Sequence, residues 1–154
     1  MIKEYIPKLD DLWFREKLLA DSNTMSYNHH WGGTIQFPKE DWASWYDYWI
    51  INNDNERYYA YLVNDNNEFV GEIAYHFDGK YYIADIIVYA EYRCKGYGQE
   101  GLSLLCKKAL ENGIKELYDD IAIDNPAIQL FLKNGFVEEY RNEEIIMLKK
   151  ILEK

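Results

Sequence analysis

Positions 93–101 of the sequence read RCKGYGQEG, so two basic side chains run into three closely spaced glycines. The preceding segment 81–88 (YYIADIIV) is aromatic and β-branched, which is typical of a strand, and apolar residues recur at helical spacing over 102–110. The glycines therefore lie at a predicted strand-to-helix turn. Free backbone N–H groups and the helix dipole favour an anion there, and glycine lets the backbone approach it closely. The sequence predicts that this turn binds a phosphate group.

The segments around the turn indicate an antiparallel meander. Residues 58–63 and 68–77 have strand composition and are joined by a polar turn, and Asp78-Gly79 is a hairpin signal before the strand at 81–88. The other predicted elements are an N-terminal helix ending near Ala20, a helix over 39–51, a strand at 116–123, a short helix at 126–134 and a strand pair at 136–140 and 144–149.

The same glycines also spell a dinucleotide-binding pattern, since Gly96, Gly98 and Gly101 fit G-x-G-x-x-G. The pair Asp119-Asp120 even lies near the spacing of the ribose-binding acid in that fold. However, the first glycine of that fold follows its strand directly, whereas residues 89–95 intervene here. About 50 residues remain after Gly101, which is too few for the further strand and helix units of a doubly wound sheet. The dinucleotide interpretation is therefore not favoured.

Composition limits the class of protein. A chain of 154 residues is expected to form a single domain spanning residues 1–154. The formal net charge of −10 opposes binding to nucleic acid and mildly favours cationic partners. Two cysteines form no disulfide framework, the N-terminus does not resemble a signal peptide, and no apolar stretch approaches 18 residues. These features predict a cytoplasmic protein that does not bind a membrane.

Two motifs, in order, resemble the GNAT superfamily of N-acetyltransferases. The pattern Arg93-x-x-Gly96-x-Gly98 resembles that family's acetyl-CoA pyrophosphate motif, and the segment 125–136 (NPAIQLFLKNGF) is similar to its later motif, Asn, then Ala, then Leu-Tyr-x-Lys-x-Gly-Phe. The resemblance implies an α/β fold of the GNAT type, with a mixed, mostly antiparallel central sheet flanked by helices. It also implies acetyl-CoA as co-substrate and an amine as acceptor. Dimers are common in such folds, which leaves a homodimer open.

The resemblance also implies which residues would contact the cofactor. The strand around residues 85–88 would splay from the strand at 116–123, and the pantetheine arm would hydrogen-bond the backbone of Ile86, Ile87 and Val88, one N–H serving as oxyanion donor. Asn125 would lie near the pantetheine and Phe131 beside its sulfur end. The residues implied around the pyrophosphate are Arg93, Cys94, Lys95, Gly96, Tyr97, Gly98 and Gln99.

Two positions depart from the family pattern. Phe131 stands where the family often has a tyrosine thought to protonate the leaving thiolate, and phenylalanine has no proton to donate. Another tyrosine, a water or no specific acid would then serve. Cys94 stands where glycine or arginine is common. Its thiol is interpreted as an inert filler, with a reactive thiol beside Arg93 and Lys95 as the alternative.

Carboxylates on predicted strands are the candidates for a general base. A carboxylate in the middle of a strand is costly to bury without a partner, so such positions attract a catalytic interpretation as well as that of a solvated or paired group. Asp85 interrupts an apolar run and is the first choice, and Glu72 is the second. Asp119 and Asp120 are adjacent and point to opposite faces of a strand, so at most one is expected to face any cleft.

Histidines and aromatic residues give weaker indications of function. His29, His30 and His76 do not have the spacing of metal ligands, so no metal is predicted. Contact between the substrate and the glycine-flanked segment His29-His30-Trp31 stays open. The stripe Trp42, Trp45 and Trp49 is interpreted as core, with its neighbours Tyr46 and Tyr48 able to reach an acceptor.

The predicted function is acetyl transfer from acetyl-CoA to a primary amine, either on a small cationic molecule or on a protein or peptide. Direct attack in a ternary complex is expected, because no nucleophile is placed to form an acetyl-enzyme. The alternative is a non-catalytic module that binds acyl-CoA as a sensor or scaffold, and the missing tyrosine at Phe131 favours it.

Overall fold

The structure is a computed structural model that describes residues 1–28 and 32–153. Seven strands form one sheet in the order β1-β2-β3-β4-β5-β7-β6. All neighbouring pairs are antiparallel except β4 and β5, which are parallel. This confirms the predicted mixed, mostly antiparallel sheet. The strands are β1 (Lys3–Tyr5), β2 (Arg57–Val63), β3 (Phe69–Phe77), β4 (Tyr82–Val88), β5 (Glu116–Ala122), β6 (Val137–Arg141) and β7 (Ile145–Ile151).

Four α-helices flank the sheet: α1 (Trp13–Ala20), α2 (Trp42–Tyr46), α3 (Tyr97–Glu111) and α4 (Ala127–Lys133). A 3-10 turn precedes α2 at Lys39–Asp41 and a π-helical turn follows it at Asp47–Ile51, so the helix predicted over 39–51 is one continuous segment of three geometries. The sequence did not predict β1, because three residues are too few to show an alternating pattern.

The two faces of the sheet pack against different helices. Ala60 and Leu62 of β2 belong to the core that α3 covers with its apolar residues, whereas the alternate residues Tyr59 and Tyr61 pack with Phe14 of α1 on the other face. This division follows from the period of two residues in a strand. The apolar side chains of α3 that lie in the core are Leu102, Leu105, Cys106 and Ala109, at the spacing of one helical face.

Gly101 allows α3 to begin close to the sheet. A Cβ atom at this position would lie 2.6 Å from Cδ1 of Leu62 and 3.1 Å from Cδ1 of Ile86. Both distances are shorter than ordinary van der Waals contact, so a larger residue here would require the side chains of Leu62 and Ile86 to move. The first turns of α3 are therefore held directly over β2 and β4.

The sheet opens between β4 and β5. These parallel strands are paired at one residue from each, Ile83 and Tyr118, and separate beyond that point. The C-terminal half of β4 consequently presents its backbone to a gap, next to the start of α3. This gap positions the candidate site.

Candidate functional site

A cavity of about 1110 Å³ lies at the gap between β4 and β5. Its walls come from α1, the helical segment at 39–51, strands β3 to β5, the start of α3 and α4. Both predicted catalytic carboxylates, Asp85 and Glu72, line it. Lys95 is exposed outside the lining. The predicted cofactor residues that line the cavity are Ile86, Ile87, Val88, Arg93, Cys94, Gly96, Tyr97, Gly98, Gln99, Asn125 and Phe131.

The glycine turn has the geometry of an anion cradle. Gly96 precedes α3 in the left-handed conformation with φ of +84°, which glycine adopts without strain. Among the described residues, no atom lies within 4 Å of where its Cβ would be, so the space beside the turn is open. The free N–H groups of the first turn of α3 are next to this space. This geometry is suited to an anion such as the phosphate group that the sequence predicts here.

The side chain of Arg93 lies at the cavity and binds backbone carbonyl groups. Its guanidinium donates from Nη1 to the carbonyl of Asn23 at 3.2 Å and from Nη2 to the carbonyl of Thr24 at 2.8 Å. The backbone N–H of Ala90 in turn donates to Oγ1 of Thr24 at 2.9 Å. The Arg93 side chain thus ties the segment after α1 to the segment before the glycine turn.

The backbone of Cys94 is strained, at a position where glycine or arginine is common in the family. Its φ is +64°, a left-handed conformation that a residue with a side chain seldom adopts. The side chain is exposed at the cavity edge. The residue therefore carries a conformational cost that no packing in the protein core offsets.

We expect Cys94→Gly to raise the free energy of unfolding by about 0.5–1 kcal/mol, because glycine adopts this φ freely. Urea denaturation measures the change. Cys94→Ala is the matched control, since it removes the thiol but keeps the strained backbone, and it should leave stability unchanged. A Cys94→Gly variant less stable than the parent protein would contradict the prediction.

Asp85 lies on the cavity floor. It pairs in register with Ala74 of β3, and its side chain is accessible from the cavity but enclosed by protein on its other sides. Burial by this surrounding protein raises the pKa of Asp85 from 3.8 to about 6, and the negative charge of Glu72 contributes in the same direction. The positive charge of Arg15 and the backbone N–H of Ile86 oppose the increase. Such a carboxylate is ionised at neutral pH and still binds a proton well.

Glu72 is held by other side chains. It is only 3% exposed. Its Oε1 accepts a hydrogen bond from Nη1 of Arg15 at 3.0 Å and another from the hydroxyl of Tyr59. The two predicted base candidates thus differ: Asp85 faces the open cavity, whereas Glu72 is engaged in a buried ion pair.

Both residues of the acidic pair on β5, Asp119 and Asp120, line the cavity. Burial raises the pKa of Asp119, with Asp85 as the next cause, and burial likewise raises the pKa of Asp120. Both residues line the cavity, so the expectation that at most one would face a cleft was wrong. The reason is that the gap beside β5 opens the sheet to both of its faces. His76 also lines the cavity, and burial lowers its pKa, although Asp78 and Asp120 oppose this.

Aromatic rings form the wall opposite the cofactor residues. Trp45 and Trp49 stack at 6.1 Å and line the cavity together with Tyr59, whereas Trp42 is buried in a core cluster. The interpretation of the tryptophan stripe as core thus holds fully for Trp42, whereas Trp45 and Trp49 are half-buried, pack against the core clusters and also line the cavity. The neighbours Tyr46, which donates to the carbonyl of Pro7, and Tyr48, which packs under the guanidinium of Arg57, do not line the cavity in the described part of the chain.

Sequence reasoning missed Arg15. A signal for it existed: Leu12, Arg15 and Leu19 have the spacing of one helical face, and both leucines are buried. A basic residue on such a face indicates a buried cation with a carboxylate partner. The partner itself was not predictable, since Glu72 lies 57 positions further along the chain.

Phe131 is buried at 1% exposure and packs edge-to-face on Phe136 at 4.9 Å, with its ring lining the cavity. Tyr92 and Tyr97 line the cavity beside the predicted cofactor residues.

The sequence left open whether the segment His29-His30-Trp31 contacts the substrate, and this segment lies outside the described residues. Within the described residues there is no group of three or more His, Cys, Asp or Glu side chains that could hold a metal ion, and no helix long and apolar enough to cross a membrane.

Comparison with known proteins identifies the family. None of the curated protein sequences matches the chain. A spermidine N-acetyltransferase from Vibrio cholerae in complex with CoA and spermine matches in structure with a TM-score of 0.77 and 19% identity, over 98% of this chain and 95% of that one. A GNAT superfamily phosphinothricin acetyltransferase from Sinorhizobium meliloti in complex with acetyl-CoA matches with a TM-score of 0.77 and 15% identity, over 99% of this chain and 88% of that one. An N-acetyltransferase from Staphylococcus aureus Mu50 matches with a TM-score of 0.78 and 18% identity, over 99% of both chains. The model of the Acetyltransferase (GNAT) family matches residues 18–136, and the chain therefore belongs to the GNAT family of acetyltransferases.

Proposed function

We propose that residues 1–154 form a single acetyltransferase domain that moves the acetyl group of acetyl-CoA to a primary amine by direct attack in a ternary complex. The observation that carries this proposal is the position of Asp85, a carboxylate with a raised pKa on the cavity floor between the cofactor residues and the aromatic wall. Such a group is suited to accept a proton from the attacking amine.

The cofactor site is proposed along β4 and the start of α3. The open turn at Gly96 would hold the pyrophosphate, and the pantetheine arm would lie in the gap along Ile86, Ile87 and Val88. Asn125 and Phe131 line the opposite side of that gap. The cofactor supplies the thioester, and the protein supplies backbone donors that fix its carbonyl.

Asp85 is the proposed acceptor of the proton that the attacking amine loses. An ammonium group must lose a proton before its nitrogen can attack a thioester, and Asp85 accepts that proton directly or through a water. A backbone N–H of β4 donates to the developing oxyanion. Direct attack is favoured over an acetyl-enzyme because Cys94 is exposed at the phosphate turn and Cys106 is buried in the core under α3.

The charge of the cavity supports a cationic acceptor. Asp119 and Asp120 are further acidic groups in the cavity beside Asp85, and the faces of Trp45 and Trp49 are suited to contact a cation. The structural match to an enzyme holding spermine is consistent with this class. A small cationic amine and a lysine or N-terminal amine of a peptide both have the required chemistry.

The pH dependence of turnover should report Asp85. Because its pKa is about 6 and the ionised form is the base, kcat/KM should rise with pH and level off above about pH 7. Measurement from pH 4.5 to 8.5 at subsaturating amine checks this. A profile with no change between pH 5 and pH 7 would remove Asp85 from the proton-transfer step.

A thiol-release assay tests the proposed function directly. The panel comprises di- and polyamines, lysine-containing peptides and, as a matched negative, the same amines carrying a carboxylate. We expect turnover with at least one cationic amine and weaker turnover with the carboxylated analogues. The alternative, a non-catalytic acyl-CoA sensor, is favoured by the absent hydroxyl at Phe131. Stabilisation by acetyl-CoA, about 2.7 kcal/mol at 100 times its Kd, without turnover of any amine would support the sensor instead.

A further inference from the structure

Arg15 occupies an aromatic box inside the cavity wall. Its guanidinium carbon lies 4.6 Å from the ring centre of Trp45, 5.0 Å from that of Phe37 and 5.6 Å from that of Tyr59. The side chain is 17% exposed and belongs to the cavity lining. The rings fix the guanidinium by cation–π contact and exclude water around it.

The box directs the charge of Arg15 at Glu72. Nη1 of Arg15 donates to Oε1 of Glu72 at 3.0 Å, and the hydroxyl of Tyr59 donates to the same oxygen. Among the described residues, Nε of Arg15 is buried and has no hydrogen-bond partner. A buried ion pair with an unpaired donor is a poor source of stability, since apolar replacements are often neutral or better. The pair therefore calls for an explanation from the site.

The pair lies beside the proposed base. Glu72 pairs in register with Ile87, and Asp85 pairs with Ala74, so both carboxylates project from the same face of neighbouring strands two positions apart. In the described part of the chain, the charged or titratable groups that face Asp85 are Arg15 from α1, Tyr59 from β2, Glu72 and His76 from β3, and Asp119 and Asp120 from β5.

We propose that Arg15 and Glu72 act as a paired charge that sets the charge state of Asp85, with Arg15 as a positioning residue and Glu72 as a carboxylate that does not accept the substrate proton. This inference rests on the proposed role of Asp85. The negative charge of Glu72 disfavours ionisation of Asp85 and the positive charge of Arg15 favours it, so the intact pair keeps the two effects in balance.

Removing the charge of Arg15 and removing that of Glu72 should shift the titration midpoint of Asp85 in opposite directions. Arg15→Met keeps the length of the side chain in the aromatic box and should raise the titration midpoint by about 1 pH unit. Glu72→Gln should lower it by about 1 pH unit. The double variant Arg15→Met/Glu72→Gln removes both charges and should return the midpoint close to that of the parent protein.

The experiment is a pH titration of the Asp85 carboxyl by ¹³C NMR, with the resonance assigned by its loss in Asp85→Asn. It requires no acceptor. Lys17→Met is the matched control, because it removes a positive charge from the exposed face of the same helix and should leave the midpoint unchanged. The kcat/KM profile of each variant should shift in the same direction as its titration. If Arg15→Met alone does not fold, Glu72→Gln and the double variant still give the comparison.

Two results would overturn the inference. A midpoint in Glu72→Gln that equals that of Lys17→Met and of the double variant, with no downward shift, would show that the pair does not act on Asp85. Loss of about 100-fold or more in kcat for Glu72→Gln at every pH would show that Glu72 is itself the base. Failure of the proposed function is distinct, since it would appear as stabilisation by acetyl-CoA without turnover of any amine in the parent protein, whatever the titration of Asp85.

Discussion

Asp85→Asn is expected to lower kcat by about 10²–10⁴-fold while leaving the affinity for acetyl-CoA unchanged. Asparagine has nearly the shape of aspartate but cannot accept a proton at neutral pH, so the amine stays protonated. The assay is steady-state thiol release with the best amine of the panel, combined with calorimetric titration of acetyl-CoA. The control is Asp10→Asn, an exposed carboxylate outside the cavity lining, which should keep full activity. An Asp85→Asn kcat within threefold of the parent would exclude Asp85 as base.

The same variant should gain stability where it loses activity. The folded-state pKa of Asp85 is about 6 against an ordinary value of 3.8, so the folded protein binds this proton more tightly than the unfolded chain does. The contribution of Asp85 to stability therefore falls as pH rises through this window and is at its lowest above about pH 6. Since asparagine does not titrate, the Tm of Asp85→Asn should exceed that of the parent at pH 7.5 by more than it does at pH 4. If the Tm of Asp85→Asn exceeds that of the parent by the same amount at pH 7.5 and at pH 4, the pKa of Asp85 is not raised in the folded protein.

Gly71→Ala should have the largest effect on stability of the glycine substitutions considered. A Cβ at this position would lie 2.4 Å from the carbonyl oxygen of Ile87 and 3.1 Å from Cα of Val88. These atoms are backbone, so relief requires β3 and β4 to move apart. We expect a loss of about 1–3 kcal/mol in the free energy of unfolding, measured by urea denaturation. Weaker binding of acetyl-CoA should accompany it, because the displaced backbone is the proposed pantetheine contact.

Gly98→Ala is the matched control for stability. It makes the same chemical change without a positive φ, and its nearest neighbour is the mobile Cδ2 atom of Leu130 at 3.1 Å. Alanine is also the better helix former at the start of α3. Stability should therefore be unchanged or higher. A Gly71→Ala protein as stable as Gly98→Ala, with unchanged cofactor affinity, would show that the two strands can separate freely.

The strands and the glycine turn before α3 were predictable because their signals are local. Alternating residues of β2 already separate Ala60 and Leu62 from Tyr59 and Tyr61, and the structure places the two sets on opposite faces. The conformation of Gly96 and the N–H groups of the following helical turn depend on a few consecutive residues. Asp85 could be singled out for the same reason, as a charge inside an apolar run.

Errors and omissions concern residues whose surroundings come from distant parts of the chain. Alternation predicts that Asp119 and Asp120 face apart, which is correct for a closed sheet, but the gap beside β5 gives both of them access to one cavity. The division of the tryptophan stripe between core and cavity depends on the same gap. The strand β1 was missed because its assignment depends on pairing with β2, some 60 residues later.

By itself, the sequence determined the order of the main strands and helices, the glycine turn at Gly96, and a short set of carboxylates that included Asp85. Only the tertiary structure decided that Glu72 is held by Arg15 and Tyr59 while Asp85 faces the cavity, and that Arg93 binds backbone carbonyls. The physical reason is the separation along the chain over which each effect acts. Periodicity and glycine sterics act over a few residues, whereas burial and charge pairing depend on which distant segments the fold brings into contact.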